Sequence, residues 1–512
     1  MSLQNLLQAF EENDIPKPYF LDIIAADGSV RQIYATEEQA AIIRAALGSK
    51  SNLLISALAG AAKTSTLRFI CKYLPIQPIL SLAFNKHTGD ELTRVLPGHV
   101  KCQTMNSVGH RVWGTAVGKR LTVDTRKTYN IFRAIVEALS REDRAEAYSS
   151  SALILSSVGA AKRSGYIPSE ITYGKALIDQ ASFLSSLDEI LTPFEASLVN
   201  SILKESIRLS YLGTIDFDDQ LYMPTLFGGT FPKFPLVLVD EAQDLSAINH
   251  AMLRKLVSGR LIAVGDPWQS IYAFRGAHQS GMDHIGAAYS CQNLPLSVSF
   301  RCPEAIVLAA RTRVPHMKWS KPGGLVSTLC SLSPHDIPDG AAVVCRNNAP
   351  LYQLALILLS SGRGCQLVGT DLGPALVKTL KSLGTETLTK DEVHAAIDTW
   401  ERERLAKARN KSETSDKAEC LRVFAGFAPT LGGAIAYAEH LFSQRQGTIQ
   451  LLSGHKAKGL EWPVVYHLDP WRIPSKWATT QEEIEQELNV AYVINTRAKE
   501  SLYFINLDQV HS

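Results

Sequence analysis

The sequence predicts an α/β fold built on two parallel sheets, each interrupted by a mainly helical insertion. Three observations carry that prediction: unbroken apolar runs of strand length, helical patterns after them, and two long stretches where the runs stop. Strands covered by helices on both faces read as continuous Val/Ile/Leu segments instead of alternating ones. With 512 residues the chain is also too long for a single core.

The first sheet is expected to contain "NLLIS" (52–56), "PILSLAF" (78–84), "PLVLVD" (235–240) and "LIAVGD" (261–266). A second sheet takes "AAVVCR" (341–346) and "WPVVYHLD" (462–469). In such sheets functional groups gather in the crevice at the carboxyl ends of the strands. Residues 115–210 break the pattern: "TYNIFRAIVEALSREDRAEAY" has apolar residues at three- and four-residue spacing, as an amphipathic helix requires. Residues 373–445 break it again, and their charged run "TWERERLAKARNKSETSDKAE" reads as a solvated helix and loop. The expected layout is therefore 1–114 with 211–280 around the insertion 115–210, then 281–372 with 446–512 around the insertion 373–445. Residues 1–33 read as an amphipathic helix and a short strand with no assigned role.

Composition narrows the class without naming a partner. Hydrophobic residues make up 46% and charged residues 20%, as in ordinary globular proteins. The net charge of +2 means that any nucleic-acid surface must be a local groove. The eight cysteines stand singly, with no CxxC and no Cys/His spacing suited to zinc, so reduced thiols in a cytoplasmic protein are expected. The opening "MSLQNLLQAFEENDIPKP" has early acidic residues and no long apolar run, so neither a signal peptide nor a membrane span is expected.

Chemistry enters with "ALAGAAKTST" (57–66), between the apolar run 52–56 and the helical "LRFICKYL". A phosphate loop has this setting: backbone N–H groups and a helix N-terminus cradle phosphate, Lys63 reaches the β/γ oxygens, and Thr64 holds magnesium. Taken alone the match is weak, and a plain helix start reads equally well. The second motif decides it. "LVLVDEAQD" sets Asp240 and Glu241 directly after a buried strand, suiting one carboxylate to magnesium and the other to the attacking water.

With both motifs in place, the chain resembles a superfamily 1 DNA helicase of the UvrD/Rep/PcrA type, in a compact variant. The resemblance runs from residue 36 to 505 through "YATEEQAAI", "LAFNKHTGDEL", "TMNSVGHRVW", "DFDDQLY", "VGDPWQSIYAFRGA", "SVSFRCPEAI", "TIQLLSGHKAKGLEWPVVY" and "ELNVAYVINTRAKESLYFI". It implies two RecA-like P-loop NTPase domains with ATP and Mg2+ between them. Gln39 is then assigned to adenine, and Ala59, Gly60, Ala61, Ala62, Lys63, Thr64 and Ser65 to the phosphate loop. Thr64 and Asp240 fall to the metal, and Glu241 to the water. Gln269 is implied as γ-phosphate sensor, Arg301 beside that phosphate, Arg497 as arginine finger, Phe300 on the adenine ring, and Gly459 and Glu461 at the nucleotide. Phe84, Asn85, Thr104, Asn106, Tyr272, Phe274, Arg275 and His455 are implied along single-stranded DNA, followed 3′→5′. Asp216, Asp218 and Asp219 in "DFDDQ" are also read as a candidate cation cluster, set against their place in a family signature.

The departures from the family pattern matter as much. Ala62 stands where glycine is usual, and a positive φ there would weaken the loop. Asn106 replaces a frequent His, Phe274 a frequent Trp and Phe300 a usual Tyr, each keeping the needed hydrogen bond or ring. Ser65 stands where an arginine often flanks adenine. The implied activity is ATP-dependent translocation and unwinding on single strands and single/double-strand junctions, with accessory proteins as partners. Two alternatives stay open: a translocase that unwinds little alone, and an ATP-silent DNA-binding scaffold disabled at Ala62. Seven residues follow "LYFI", so no nuclease domain is expected on this chain. The motif set points to DNA over RNA.

Overall fold

The structure is a computed structural model that describes residues 19–24, 29–75, 77–83, 85–271, 281–369, 372–408, 411–443 and 447–511. Each predicted apolar run forms a strand. The first sheet has six parallel strands in the order Gln292–Leu296, Leu53–Ala57, Val257–Gly265, Phe234–Val239, Ile79–Ala83, Val100–Thr104. The second also has six parallel strands, in the order Leu325–Thr328, Ala498–Ile505, Trp462–Leu468, Ala342–Cys345, Ile449–Ser453, Cys365–Leu367. The edge strand Gln292–Leu296 corrects the expected boundary at residue 280, because the first sheet keeps the chain through Leu296. That strand, "QNLPL", has only one buried residue, so its apolar signal is too faint to stand out in sequence.

Helical insertions appear where the strand runs stop. In the first, Thr192 caps the helix Pro193–Tyr211 through a capping box with Glu195, and Pro193 fills the first turn where no N–H partner is needed. Phe132, Ile154, Tyr166, Phe183 and Ile202 form a separate core there. The second insertion packs Phe424, Leu421 and Leu431 onto Tyr352 and Leu354 of the second domain, so it shares that domain's core.

The base of the first insertion is closed by buried charge. Lys127 donates to Asp219 at 2.6 Å, to the Ser206 carbonyl at 2.7 Å and to Ser210 Oγ at 2.7 Å. Lys162 meets Asp216 at 2.6 Å and Asp219 at 2.8 Å. Asp218 pairs with Arg163 at 3.3 Å. The aspartates that read as a candidate cation cluster are thus held by side-chain cations. Among the described residues no group of three or more His, Cys, Asp or Glu is arranged to hold a metal. Nor is any helix among them long and apolar enough to cross a membrane. The eight cysteines are free thiols.

Ahead of the first sheet, Phe20–Ile24 and Val30–Tyr34 form an antiparallel pair, where a single short strand is expected. Leu21 packs on Ile43 and Phe69, and Lys72 donates to the Phe20 carbonyl at 2.9 Å. The hairpin is therefore tied to the far end of the helix Lys63–Tyr73.

Candidate nucleotide site and nucleic-acid edge

Three neighbouring strands of the first sheet, 53–57, 257–265 and 234–239, deliver their carboxyl ends side by side. The loop 58–62 follows the first, Asp266 and Gln269 the second, and Asp240 and Glu241 the third. Gly60 has φ +71, and a Cβ there would lie 2.6 Å from Arg301 Cβ and 2.8 Å from Ser299 Oγ. Glycine is therefore needed twice over, for the backbone region and for the approach of residues 299–301. Its carbonyl accepts the Phe300 N–H at 2.9 Å.

Ala62 resolves the question raised by its missing glycine. It sits at φ 58, ψ 44, in the left-handed region, and starts the helix Lys63–Tyr73 without a side-chain cap. An L-residue there costs about 1–2 kcal/mol, because Cβ crowds the following carbonyl oxygen. The strained member of the loop is the one that departs from the family.

Charge is concentrated behind the loop. Lys63 Nζ donates to Glu241 Oε2 at 2.5 Å, and Gln243 Nε2 donates to the same oxygen at 2.8 Å. Glu241 itself is left-handed, with φ 52. Burial works against the Lys63 charge, but Glu241, Asp240 and Asp266 outweigh it and raise its pKa. Burial and the neighbouring Glu241 charge push the Asp240 carboxyl upward. Burial opposes the Glu241 charge too, yet Lys63 and Lys458 prevail and hold its pKa down. Asp266, fully buried, is pushed up to about 6 by that burial despite Lys63 nearby. It accepts hydrogen bonds from Gln269 Nε2 at 2.8 Å and from the Trp268 N–H at 3.0 Å.

The second sheet's domain closes the site from the other side. Arg497 is buried at the end of the helix Gln481–Asn495. It donates through Nε to the Val493 carbonyl at 2.9 Å and through Nη2 to Gln269 Oε1 at 3.4 Å. Burial, then the Arg301 charge, lowers its pKa to about 10, so it stays cationic at neutral pH. Arg301 Nε donates to Glu461 Oε2 at 2.6 Å, and Lys499 lies 3.4 Å from the same carboxylate. Glu461, expected at the nucleotide, is here the partner of Arg301.

Two cross-cleft residues were not singled out by sequence reasoning. Lys458 donates to both oxygens of Asp244 at 2.7 Å and to the Gln269 carbonyl at 2.6 Å. Tyr492 accepts the Ala59 N–H at 2.9 Å and donates its hydroxyl to Asp266 at 3.3 Å. Both lie inside quoted motifs, "GHKAKGLEW" and "NVAYVINTR". Their membership was legible; their partners lie on the other domain.

Gln39 is buried and serves a helix junction. Its Oε1 accepts the Thr36 N–H at 3.0 Å in a capping box, and its Nε2 donates to Thr66 Oγ1 at 3.0 Å. Those bonds tie the helix Glu37–Gly48 to the helix of the loop. Phe300 is 39% exposed. Gly459 is left-handed at φ +86, and Thr64 and Ser65 lie half-buried in the first turn after Ala62.

At the far edge of the first sheet, Asn85 and Thr104 cap helices by accepting the Thr88 N–H at 2.8 Å and the Ser107 N–H at 3.1 Å. Asn106 Nδ2 donates to the Phe217 carbonyl at 2.9 Å, and the Phe217 side chain is 58% exposed. Phe217 was missed in sequence, although a lone ring inside the acidic "DFDDQ" is a signal of exposure. His455 occupies the short helix Gly454–Ala457 after the strand Ile449–Ser453. Phe84, Tyr272, Phe274 and Arg275 lie outside the described residues.

Comparison with known proteins bears directly on this arrangement. A family profile for the UvrD/REP helicase N-terminal domain matches residues 35–289, and one for the UvrD-like helicase C-terminal domain matches residues 393–509. The chain belongs to the UvrD/Rep helicase family. Among UvrD-type relatives, the F-box DNA helicase protein 1 of Schizosaccharomyces pombe is 24% identical over 519 residues, covering 91% of this chain and 57% of that protein. The ATP-dependent DNA helicase UvrD1 of Mycobacterium bovis is 29% identical over 154 residues, 27% of this chain and 20% of its own length. The putative ATP-dependent DNA helicase YjcD of Bacillus subtilis is 32% identical over 106 residues, 19% of this chain and 14% of its own. The chain thus spans little more than half of the relative it matches most extensively among these. The two UvrD matches leave residues 290–392 between them, the stretch that carries Phe300 and Arg301.

Proposed function

We propose that this chain hydrolyses ATP to move 3′→5′ along single-stranded DNA and to open duplex at single/double-strand junctions. The observation that carries the reading is Arg497 reaching Gln269 across the cleft whose other wall holds Lys63, Asp240 and Glu241. Cations on one wall facing a phosphate loop and an acidic pair on the other suit phosphoryl transfer, where charge stabilisation supplies most of the rate.

The residues present fit magnesium. Asp240 is a buried carboxylate whose pKa rises through burial beside Glu241, so a cation would relieve it. Thr64, in the first turn of the loop's helix, would supply the hydroxyl. Bound Mg2+–ATP would contribute the phosphoanhydride to be cleaved and a charge to offset its oxygens. Lys63, which here meets Glu241, would be the cation to take a phosphate oxygen. Glu241, held ionised by Lys63 and Lys458, can accept a proton from water. Arg301 and Arg497 stabilise charge on the transferring group and sense its departure. Because Lys458 and Tyr492 bind the same cleft, loss of the phosphate changes how the two domains hold one another, which is the differential contact that motion needs.

The test is steady-state ATP hydrolysis with and without single-stranded DNA, beside Lys63→Ala and Glu241→Gln. Stimulation by DNA that both substitutions abolish supports the motor. Streptavidin displaced from the 5′ end only would support 3′→5′ movement. DNA binding without hydrolysis would favour the ATP-silent scaffold, the reading that the left-handed Ala62 supports. Full translocation without strand separation would favour a translocase that needs accessory proteins to unwind.

A further inference from the structure

We propose that the segment 469–477 is an additional stacking platform for single-stranded DNA, extending the strand's path beyond His455 along the carboxyl edge of the second sheet. The inference rests on the reading of the chain as a single-strand DNA motor, and it adds residues that no motif assigns to DNA.

Placement comes first. The strand Trp462–Leu468 lies beside Ala342–Cys345, which lies beside Ile449–Ser453, the strand that leads to His455. All are parallel, so the chain leaves Leu468 at the edge where it leaves Ser453, the last strand residue before the short helix that carries His455. Two strand spacings separate the exits, about 10 Å.

The backbone under the segment is anchored at both flanks. The Asp469 N–H donates to the Ile505 carbonyl at 2.8 Å, and its carboxylate accepts the Leu507 N–H at 2.8 Å and Arg472 Nε at 3.0 Å. Arg472 Nη1 also donates to Glu419 Oε2 at 2.8 Å, on the insertion helix Lys411–Gly426. On this fixed base the Trp471 side chain is 65% exposed and joins none of the hydrophobic clusters of the described residues. The indole is thus held open to solvent on a braced turn, where a base can stack on it.

Its surroundings suit a nucleic-acid strand. The Arg472 guanidinium lies 4.8 Å from the Trp471 ring centre. Six residues along the chain, Trp477 has Lys411 Nζ at 5.5 Å and Lys476 Nζ at 5.4 Å from its ring centre, and both lysines are exposed. The Trp477 indole N–H is buried with no hydrogen-bond partner, a donor facing no acceptor of the protein. Glu419 and Asp469 offset Arg472, so the phosphate contacts fall to Lys411 and Lys476. An open ring for a base on the same short segment as ammoniums for the backbone suits the holding of single strands without reading sequence.

The experiment measures anisotropy of fluorescein-labelled oligothymidylates of increasing length on the full chain. Trp471→Ala should lose about tenfold in affinity on long oligomers and nothing on the shortest that bind, while Trp471→Phe keeps most of it. The double substitution Lys411→Ala/Lys476→Ala should flatten the dependence of log affinity on log salt by about 1.4, at about 0.7 per phosphate contact. Wild-type affinity in Trp471→Ala at every length would overturn the platform and leave the motor reading intact. An equal loss at every length would overturn it as well, since the platform lies beyond the motif path. Failure of the unaltered chain to bind any oligomer would overturn the motor reading itself, and the platform with it.

Discussion

Two clusters of lysines and carboxylates lie in this molecule, and their charge balance differs. At the base of the first insertion, Lys127 and Lys162 share Asp216 and Asp219, and serine oxygens take further ammonium protons. Burial opposes the Asp219 charge, but Lys162 and Lys127 outweigh it and hold its pKa to about 2. In the cleft, Asp240, Glu241 and Asp266 surround Lys63, and burial pushes Asp240 and Asp266 up. The first cluster is balanced and closed. The second has more negative charge than its own lysine satisfies, plus arginines facing it from the other domain. Imbalance in a buried cluster points to a ligand; balance points to architecture.

Breaking each cluster should give opposite phenotypes. The largest effect is expected from Glu241→Gln, which should cut DNA-stimulated ATP turnover by about 10²–10⁴-fold in protein that remains folded. Lys127→Met should do the reverse: urea unfolding should show a loss of about 3–5 kcal/mol, because Lys162 alone is then left to face both Asp216 and the buried Asp219, with turnover per folded molecule preserved. If Lys127→Met abolished turnover in folded protein, the distinction between the clusters would be lost.

Acid titration sharpens the contrast. Folded Asp266 keeps its proton to about pH 6 against an ordinary 3.8. The folded state therefore binds more protons in that window, and this contribution to stability declines as pH rises through it. Asp219 has the opposite sign: its contribution is complete above the ordinary carboxylate range and is lost as pH falls toward 2. Asp266→Asn should accordingly gain about 1–3 kcal/mol over wild type at pH 8, with the gain vanishing below pH 4, in unfolding curves across pH. The smallest effect is expected at Ala62→Gly. Relief of the left-handed backbone should add about 1 kcal/mol of stability, with nucleotide affinity equal or higher by calorimetry. A collapse of nucleotide binding would show that the alanine methyl is needed.

Much of this could be read before any coordinates. The runs at 52–56, 78–84, 235–240, 261–266, 341–346 and 462–469 announced themselves because strands buried on both faces must be apolar throughout. The half-exposed Gln292–Leu296 did not, and the first domain was accordingly ended too early. Lys63, Asp240 and Glu241 were legible because they sit next to those strands in the chain. Gln39 was legible as a motif residue, but its bond to Thr66 came only from the packing of two helices. Trp471 went unassigned because exposure of a ring is decided by what covers it.

By itself the sequence determined the class of fold, the place of six of its buried strands along the chain and the set of residues available for phosphate chemistry. Those are local properties: apolar run length, turn residues, and functional groups adjacent to strand ends. Only the tertiary structure decided that Ala62 is left-handed, because its φ is set by where the 53–57 strand must hand over to its helix. It alone decided the cross-cleft bonds, such as Tyr492 to Ala59 over 433 positions and Lys458 to Asp244 over 214. No local pattern encodes such pairs, since they exist only where the two sheet domains pack against each other.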